Sequence, residues 1–431
     1  MTKKTIISYY REMEKKYSPK GVDYSTYTTP VNFKESLHTP IHRWYGYKEG
    51  FSPSFVAGFI DEFGAQKESV VFDPFGGVGT TGLVAISKGH KAYLMDVNPL
   101  GVLAARVKTT NYSRQAIGEI KHIRTKWSEI HDYKIRYDIP NDTVKRYFDP
   151  ITLEALLKVR SMVLDLSGGL IQDVYLLALL SLVEQISTHH KNGNGVKKKR
   201  ILPAPFNFEV LKQTLLERID LYLADIAETE LTQKCDVLNH SNLNSYTLPT
   251  RVDLVLTSPP YANCFDYSKV YLTELWIGGF FQQKADQTLF REQSVISHVH
   301  YRWKERNVAY KSSVVEDMII PTLKQQDLWS ANIPSMLSGY FSDLGKCLYN
   351  ISHNLNYGAT IGFVVGNSVY GGVPIATDII LAEIAEKLGY RCQEIRIYRK
   401  VIASSQQMVL LTEEEKHFVR ESLVILKWEQ N

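Results

Sequence analysis

The sequence predicts an α/β protein built on an open sheet with a helical insert, and three observations carry that reading. Two strand-like runs, 69–73 and 91–96, flank a glycine loop and a short helical stretch, which is one turn of a nucleotide-binding βαβ unit. A further apolar run, 252–256, ends abruptly in Pro259-Pro260, so the chain must leave its sheet there: proline has no N–H for the ladder and restrains the residue before it. Between them, from about 111 to 230, apolar residues recur at three- and four-residue spacing, the period of buried helices.

In chain order, residues 1–37 are a polar, Tyr-rich arm or loose first helix. The segment 38–53 is dense in aromatic and turn residues and leads into an amphipathic helix over 54–63. The strand 69–73 runs into Pro74-Phe75-Gly76-Gly77-Val78-Gly79-Thr80-Thr81, a helix over 82–88, and a strand 91–96 that stops at Val97-Asn98-Pro99. The helical block reads as 113–130, 150–166, 170–186 and 208–229, with a flexible basic loop, 188–200, carrying Lys197, Lys198, Lys199 and Arg200. Strands return at 234–238 and 252–256. An aromatic helical stretch reaches 281, and a polar, basic segment follows to about 311, including Arg291, His298, Arg302, Lys304 and Arg306. A helix (333–351), a strand (359–366), a helix (377–388) and two strands (392–398 and 422–428) complete the chain. The domain reading is therefore a catalytic domain formed by 38–110 and 231–431, a helical insert at 111–230, and a basic insert at 282–332.

Composition sets bounds. A net charge of +4 means any nucleic-acid surface is local rather than global. The four cysteines stand far apart with no CxxC pair, so neither a zinc site nor a redox motif is expected, and a reducing cytoplasm is the natural home. The most apolar run, 174–183, is about ten residues, too short to cross a bilayer, so no membrane association is expected.

The chemistry lies in the two loops. Gly76, Gly77 and Gly79 allow a tight turn and close ligand approach, and the helix they open offers free N–H groups. Asp96 follows about twenty residues on, where an acid accepts both ribose hydroxyls of an adenosine. No Gly-Lys-Ser/Thr follows the loop, so nothing grips a β/γ-phosphate. The second loop, Thr257-Ser258-Pro259-Pro260-Tyr261, offers backbone carbonyls that cannot enter a helix, a hydroxyl and a flat ring. Those parts suit a planar group bearing an amino substituent. An adenosine ligand without polyphosphate beside an amino-group cradle points to S-adenosylmethionine and methyl transfer to nitrogen.

Together, Asp73 to Thr81 and Thr257 to Tyr261 resemble the two signature motifs of the DNA amino-methyltransferases, which methylate cytosine N4 or adenine N6. The resemblance covers roughly 38–110 and 232–400. It implies a Rossmann-like, seven-stranded, mostly parallel sheet with a C-terminal antiparallel hairpin, with S-adenosylmethionine as cofactor and double-stranded DNA as partner. By the same resemblance the cofactor is held by Tyr47, Lys48, Glu49 and Ser52, by Asp73, Pro74, Phe75, Gly76, Gly77, Gly79, Thr80 and Thr81, by Asp96, Val97 and Asn98, and by Asp236 and Val237 at the adenine.

Ser258, Pro259, Pro260 and Tyr261 are then catalytic, with Phe265 and Tyr267 as further base-pocket candidates and Asn263, Asp266 and Asn367 as polar lining. Lys197, Lys198, Lys199, Arg200, Arg302, Lys304 and Arg306 are expected on DNA. Serine before the prolines is the form more often seen with cytosine N4. A cognate restriction endonuclease and nucleoid association are the expected context. Adenine N6, an RNA base or a protein glutamine amide are the rival acceptors, and a DNA-binding protein that has lost catalysis is the rival class.

Overall fold

The computed structural model describes residues 2–17, 33–64, 68–193, 195–300, 310–400 and 405–430; Arg302, Lys304 and Arg306 lie outside them. Its centre is a seven-stranded sheet: β1 (Val70–Asp73), β2 (Lys91–Asp96), β3 (Cys235–Asn239), β4 (Val252–Thr257), β5 (Leu355–Gly366), β6 (Tyr390–Lys400) and β7 (Arg420–Trp428). Their order across the sheet is β6-β7-β5-β4-β1-β2-β3. The β1–β2, β1–β4, β2–β3 and β4–β5 pairs are parallel, whereas β7 runs antiparallel to both β5 and β6. The expected sheet and C-terminal hairpin are both present. Val70 to Asp73 are all buried, which is why this strand reads as a continuous apolar run rather than an alternating one.

The principal helices are α1 (Lys3–Tyr17), α2 (Pro53–Phe63), α3 (Thr80–Ser87), α4 (Pro99–Lys108), α5 (Arg114–Ser128), α6 (Pro150–Leu164), α7 (Gly169–Ile186), α8 (Phe208–Glu228), α9 (Lys284–Gln293), α10 (Ile333–Ser352) and α11 (Thr377–Lys387). One face of the sheet packs on α1, α10 and α11. The other packs on α2, α3 and α4, and the same apolar cluster continues without a break into α6, α7 and α8. The helical insert therefore shares a core with the sheet layer. By length and composition α7 is long enough to cross a membrane, not merely the ten-residue run expected, and it buries Val174, Leu177, Leu180 and Val183 among its neighbours.

Two expectations need correction. Of the two alternatives, arm or loose first helix, the first residues form the helix, but a docked one: the Tyr10 hydroxyl donates to the Pro374 carbonyl at 3.2 Å and accepts from the Ala376 N–H at 3.3 Å. The basic loop is a β-hairpin, His189–Asn192 against Gly195–Lys198, whose exposed lysines hide the strand signal. A second small hairpin, Ser368–Tyr370 with Val373–Ile375, turns on Gly371 (φ +54°) and Gly372 (φ +71°), the two positive φ angles that a type I′ turn requires.

Candidate active site

Strands β1 and β4 lie side by side in the middle of the sheet, and the connections on their two sides run in opposite directions across it. Their carboxyl ends form the switch point at which open α/β sheets bind ligands. Asp73, at the end of β1, ties the two loops together. Its buried carboxylate accepts the Thr81 hydroxyl at 2.7 Å, the Thr257 hydroxyl at 2.6 Å and the Phe75 N–H at 3.1 Å. Burial pushes its pKa up to about 6 against the pull of those hydrogen bonds.

The glycine loop is shaped by two close approaches. Gly77 has φ +48°, and a Cβ there would lie 3.3 Å from the Tyr47 ring. At Gly79 (φ +90°) a Cβ would come within 2.9 Å of the Ala105 Cα, so glycine lets α4 pack against the loop. Asp96 accepts N–H bonds from Gly77 and Asn98, each at 2.8 Å and one on each carboxylate oxygen. Each oxygen keeps a second lone pair for a ligand. Burial raises this carboxyl too, opposed by those two N–H groups.

Two cavities open from these loops. The first encloses about 780 Å³, its solvent-open mouth included, and is lined by Tyr47, Glu49, Pro74, Phe75, Gly77, Asp96, Val97 and Asn98, together with Ser258 and Pro260. The second, about 1020 Å³ on the same measure, is lined by Ser258, Pro259, Tyr261, Asn263 and Phe265, with Arg399 and Glu421. Ser258, Tyr267 and Glu49 line both, so a hydroxyl sits on the partition between the two chambers.

The Ser258 hydroxyl donates to Tyr261 Oη at 3.3 Å, and Tyr261 Oη donates to Glu421 at 3.0 Å. Burial raises the Tyr261 pKa well above its ordinary value, so the phenol stays protonated and able to donate. The Tyr261 ring lies against Gly366, where a Cβ would come within 2.7 Å of it. Behind the loop, the Tyr370 hydroxyl donates to the Ala262 carbonyl at 2.7 Å, and Cys264 holds a left-handed φ of +64°. The small hairpin thus braces the loop.

Other expected site residues lie elsewhere. Asp236, expected at the adenine, sits mid-strand opposite Tyr93 and pairs with Lys234, and neither it nor Val237 lines the first cavity. Strand β3 runs on to Asn239, beside Asp96, so the residues that reach the cavity from this strand are His240 to Leu243. Ser52 caps α2, accepting the Phe55 N–H at 3.2 Å. Lys48 lines the second cavity and donates to the Lys191 carbonyl at 3.2 Å. Gly76, Gly79, Thr80 and Thr81 shape the loop without lining the first cavity. Asn367 bonds Asp378 and the Phe418 carbonyl instead of lining the cleft.

Of the basic residues, Arg291 turns inward onto the buried Asp266 at 2.9 Å, so it is part of the first cavity rather than an outer basic face. Burial pushes the neighbouring His298 down to about 4, leaving it neutral at pH 7 and Arg291 as the cation facing Asp266. Lys199 donates to the Glu184 and Gln185 carbonyls at the end of α7. Lys197, Lys198 and Arg200 are exposed.

The residues fit an adenosine-bearing cofactor: a left-handed glycine brings backbone to the cavity wall, and a half-buried acid with spare lone pairs lines the same wall, where it could accept ribose hydroxyls. A sheet of this order with these loops at its switch point has the Rossmann-like architecture expected of an S-adenosylmethionine-dependent methyltransferase. The chain is a relative of the Type II methyltransferases. It is 27% identical to M.BsoBI of Geobacillus stearothermophilus, over 92% of this chain and 88% of that one. It is 25% identical to M.AvaI of Nostoc sp., covering 88% and 85%, and 22% identical to M.MvaI of Kocuria varians, covering 84% of each. No family model matches. The resemblance read from two motifs is thus carried by most of the chain.

Proposed function

We propose that the chain is a site-specific DNA methyltransferase that methylates an exocyclic amino group of a flipped base, with cytosine N4 as the favoured acceptor. The observation that carries this is Ser258 on the partition between the two cavities. When bound, S-adenosylmethionine supplies an electrophilic methyl on a sulfonium centre. Tyr47, Pro74, Phe75, Gly77 and Asp96 to Asn98 would hold it in the first cavity. The second takes the base, extruded from the duplex because its amino group is otherwise paired. Tyr261 and Phe265 offer stacking faces.

An aromatic amine is a poor nucleophile because its lone pair is delocalised into the ring. The Ser258 oxygen and the Pro259 carbonyl accept its N–H bonds, draw the lone pair out of conjugation and aim it at the methyl. Rate comes from position and from a preorganised polar wall. Serine before the prolines favours cytosine N4 over adenine N6. A protein glutamine amide or an RNA base could use the same cradle, but the full-length similarity to Type II methyltransferases favours DNA.

DNA phosphates would meet Lys197 and Lys198 on the hairpin and Arg200 just after it. That hairpin is anchored to the site: Lys191 pairs with the buried Glu274 and lies 4.5 Å from the Tyr271 ring, which stacks on Tyr47 at 5.1 Å. Cytoplasmic, nucleoid-associated modification alongside a cognate restriction endonuclease is the context this reading supplies.

The test is Ser258→Ala with unmethylated DNA and tritiated cofactor. The expected kcat falls on the order of 10²-fold or more, with cofactor affinity within about twofold of wild type. Equal loss of both would remove Ser258 from the chemistry.

A further inference from the structure

The hydrogen bonds that end on Glu421 have a direction, and the direction follows from chemistry. An ionised carboxylate only accepts, and a phenol has one proton. Tyr261 therefore spends its proton on Glu421, at 3.0 Å, and its oxygen can only accept from Ser258, at 3.3 Å. Ser258 in turn spends its proton on Tyr261, and what remains on its oxygen is lone pairs.

Glu421 is 4% exposed and stands on β7 directly opposite Gly366, the residue whose missing side chain makes room for the Tyr261 ring. Its other oxygen accepts Arg399 Nε at 2.6 Å, from the facing position on β6. Lys34, Lys48 and Glu49 line the same cavity.

We propose that Glu421, acting through Tyr261, is a positioning residue that sets the hydrogen-bond polarity of Ser258 and keeps its oxygen an acceptor for the substrate amino group. The inference rests on the amino-methyltransferase reading of the same site. Without the carboxylate, Ser258 would be free to direct its proton into the second cavity. There it would meet the amino N–H groups donor to donor.

Glu421→Gln tests polarity without changing shape. Arg399 has only donors, so the glutamine must turn its oxygen to Arg399 and its NH₂ to Tyr261. The phenol proton then swings to Ser258 and the serine proton to the cavity. The expected result is a kcat lower by about 50- to 100-fold, with cofactor affinity, measured calorimetrically, within about twofold of wild type.

Adding Arg399→Met frees the amide to rotate and present its oxygen to Tyr261, so the double variant should recover about tenfold over Glu421→Gln alone. A residue that merely fills space would give no such recovery. Should Glu421→Gln fail to fold, Tyr261→Phe cuts the chain while keeping the ring, and a kcat loss of about tenfold is expected. The proposal is overturned if Glu421→Gln stays within about threefold of wild type, if the double variant recovers nothing, or if Tyr261→Phe leaves kcat unchanged. Failure of the wild-type protein to label DNA at all would instead overturn the function proposed for the site.

Discussion

Replacing Asp73 with alanine should damage cofactor binding far more than it damages the fold. The carboxylate receives one N–H and two hydroxyls in a fully enclosed position, and each such bond contributes roughly 1 kcal/mol net, more when the acceptor is charged. Against that loss stands a relief. The carboxyl is held at about 6 rather than near 4, so keeping it ionised at neutral pH costs about 3 kcal/mol. Thr81 and Thr257 can also rotate their hydroxyls toward other acceptors, whereas the Phe75 N–H cannot turn.

The two effects nearly offset in global stability, to within roughly 1–2 kcal/mol, which corresponds to a Tm change of a few degrees. They do not offset in the loop, where Phe75 and Gly77 line the cofactor cavity. Titration calorimetry with S-adenosylmethionine should show affinity reduced by about tenfold or more, equivalent to about 1.4 kcal/mol. A large drop in Tm with unchanged affinity would refute this reasoning and reduce Asp73 to an ordinary core pin.

Three further outcomes are expected. Because the folded-state pKa of Asp73 is raised, its contribution to stability is full below about pH 4 and is lost as pH rises through about 6. In Asp73→Asn that loss disappears, so the Tm of wild type minus that of the variant should fall between pH 4 and 6.5 in scanning calorimetry; a rising difference would contradict the assignment. Gly366→Ala drives a Cβ to 2.7 Å from the Tyr261 ring, and single-turnover kinetics should show methyl transfer slowed by about tenfold or more with the cofactor still bound normally; an unchanged rate would free Tyr261 from its role. Lys197→Ala with Lys198→Ala should lower the slope of log Kd for DNA against log salt by about two, and an unaltered slope would return those lysines to bulk solvent.

The parts of this site that were legible in the sequence are those where the backbone itself is constrained. Gly77 and Gly79 need positive φ, and Pro259-Pro260 forbids a continuing strand, so each leaves a local mark. Asp236 misled because an acid in a strand looks the same whether it stands mid-strand or at the carboxyl edge, and only the β2–β3 register separates the two. The insert hairpin was hidden because exposed lysines carry no apolar alternation. Glu421 gave no signal, since its meaning comes from Tyr261, 160 residues away in the chain. Likewise α1 reads as a polar arm or loose helix until Tyr10 and the Pro374 carbonyl it bonds are seen together.

Under the proposed function, a cofactor cavity and a base cavity share Ser258 so that an amino nitrogen receives the methyl. Nucleoside mass spectrometry of DNA incubated with the purified protein and methyl-deuterated cofactor tests it directly. The expected product is deuterated N4-methylcytosine. Label found in 5-methylcytosine, or in tRNA with none in DNA, would contradict the account.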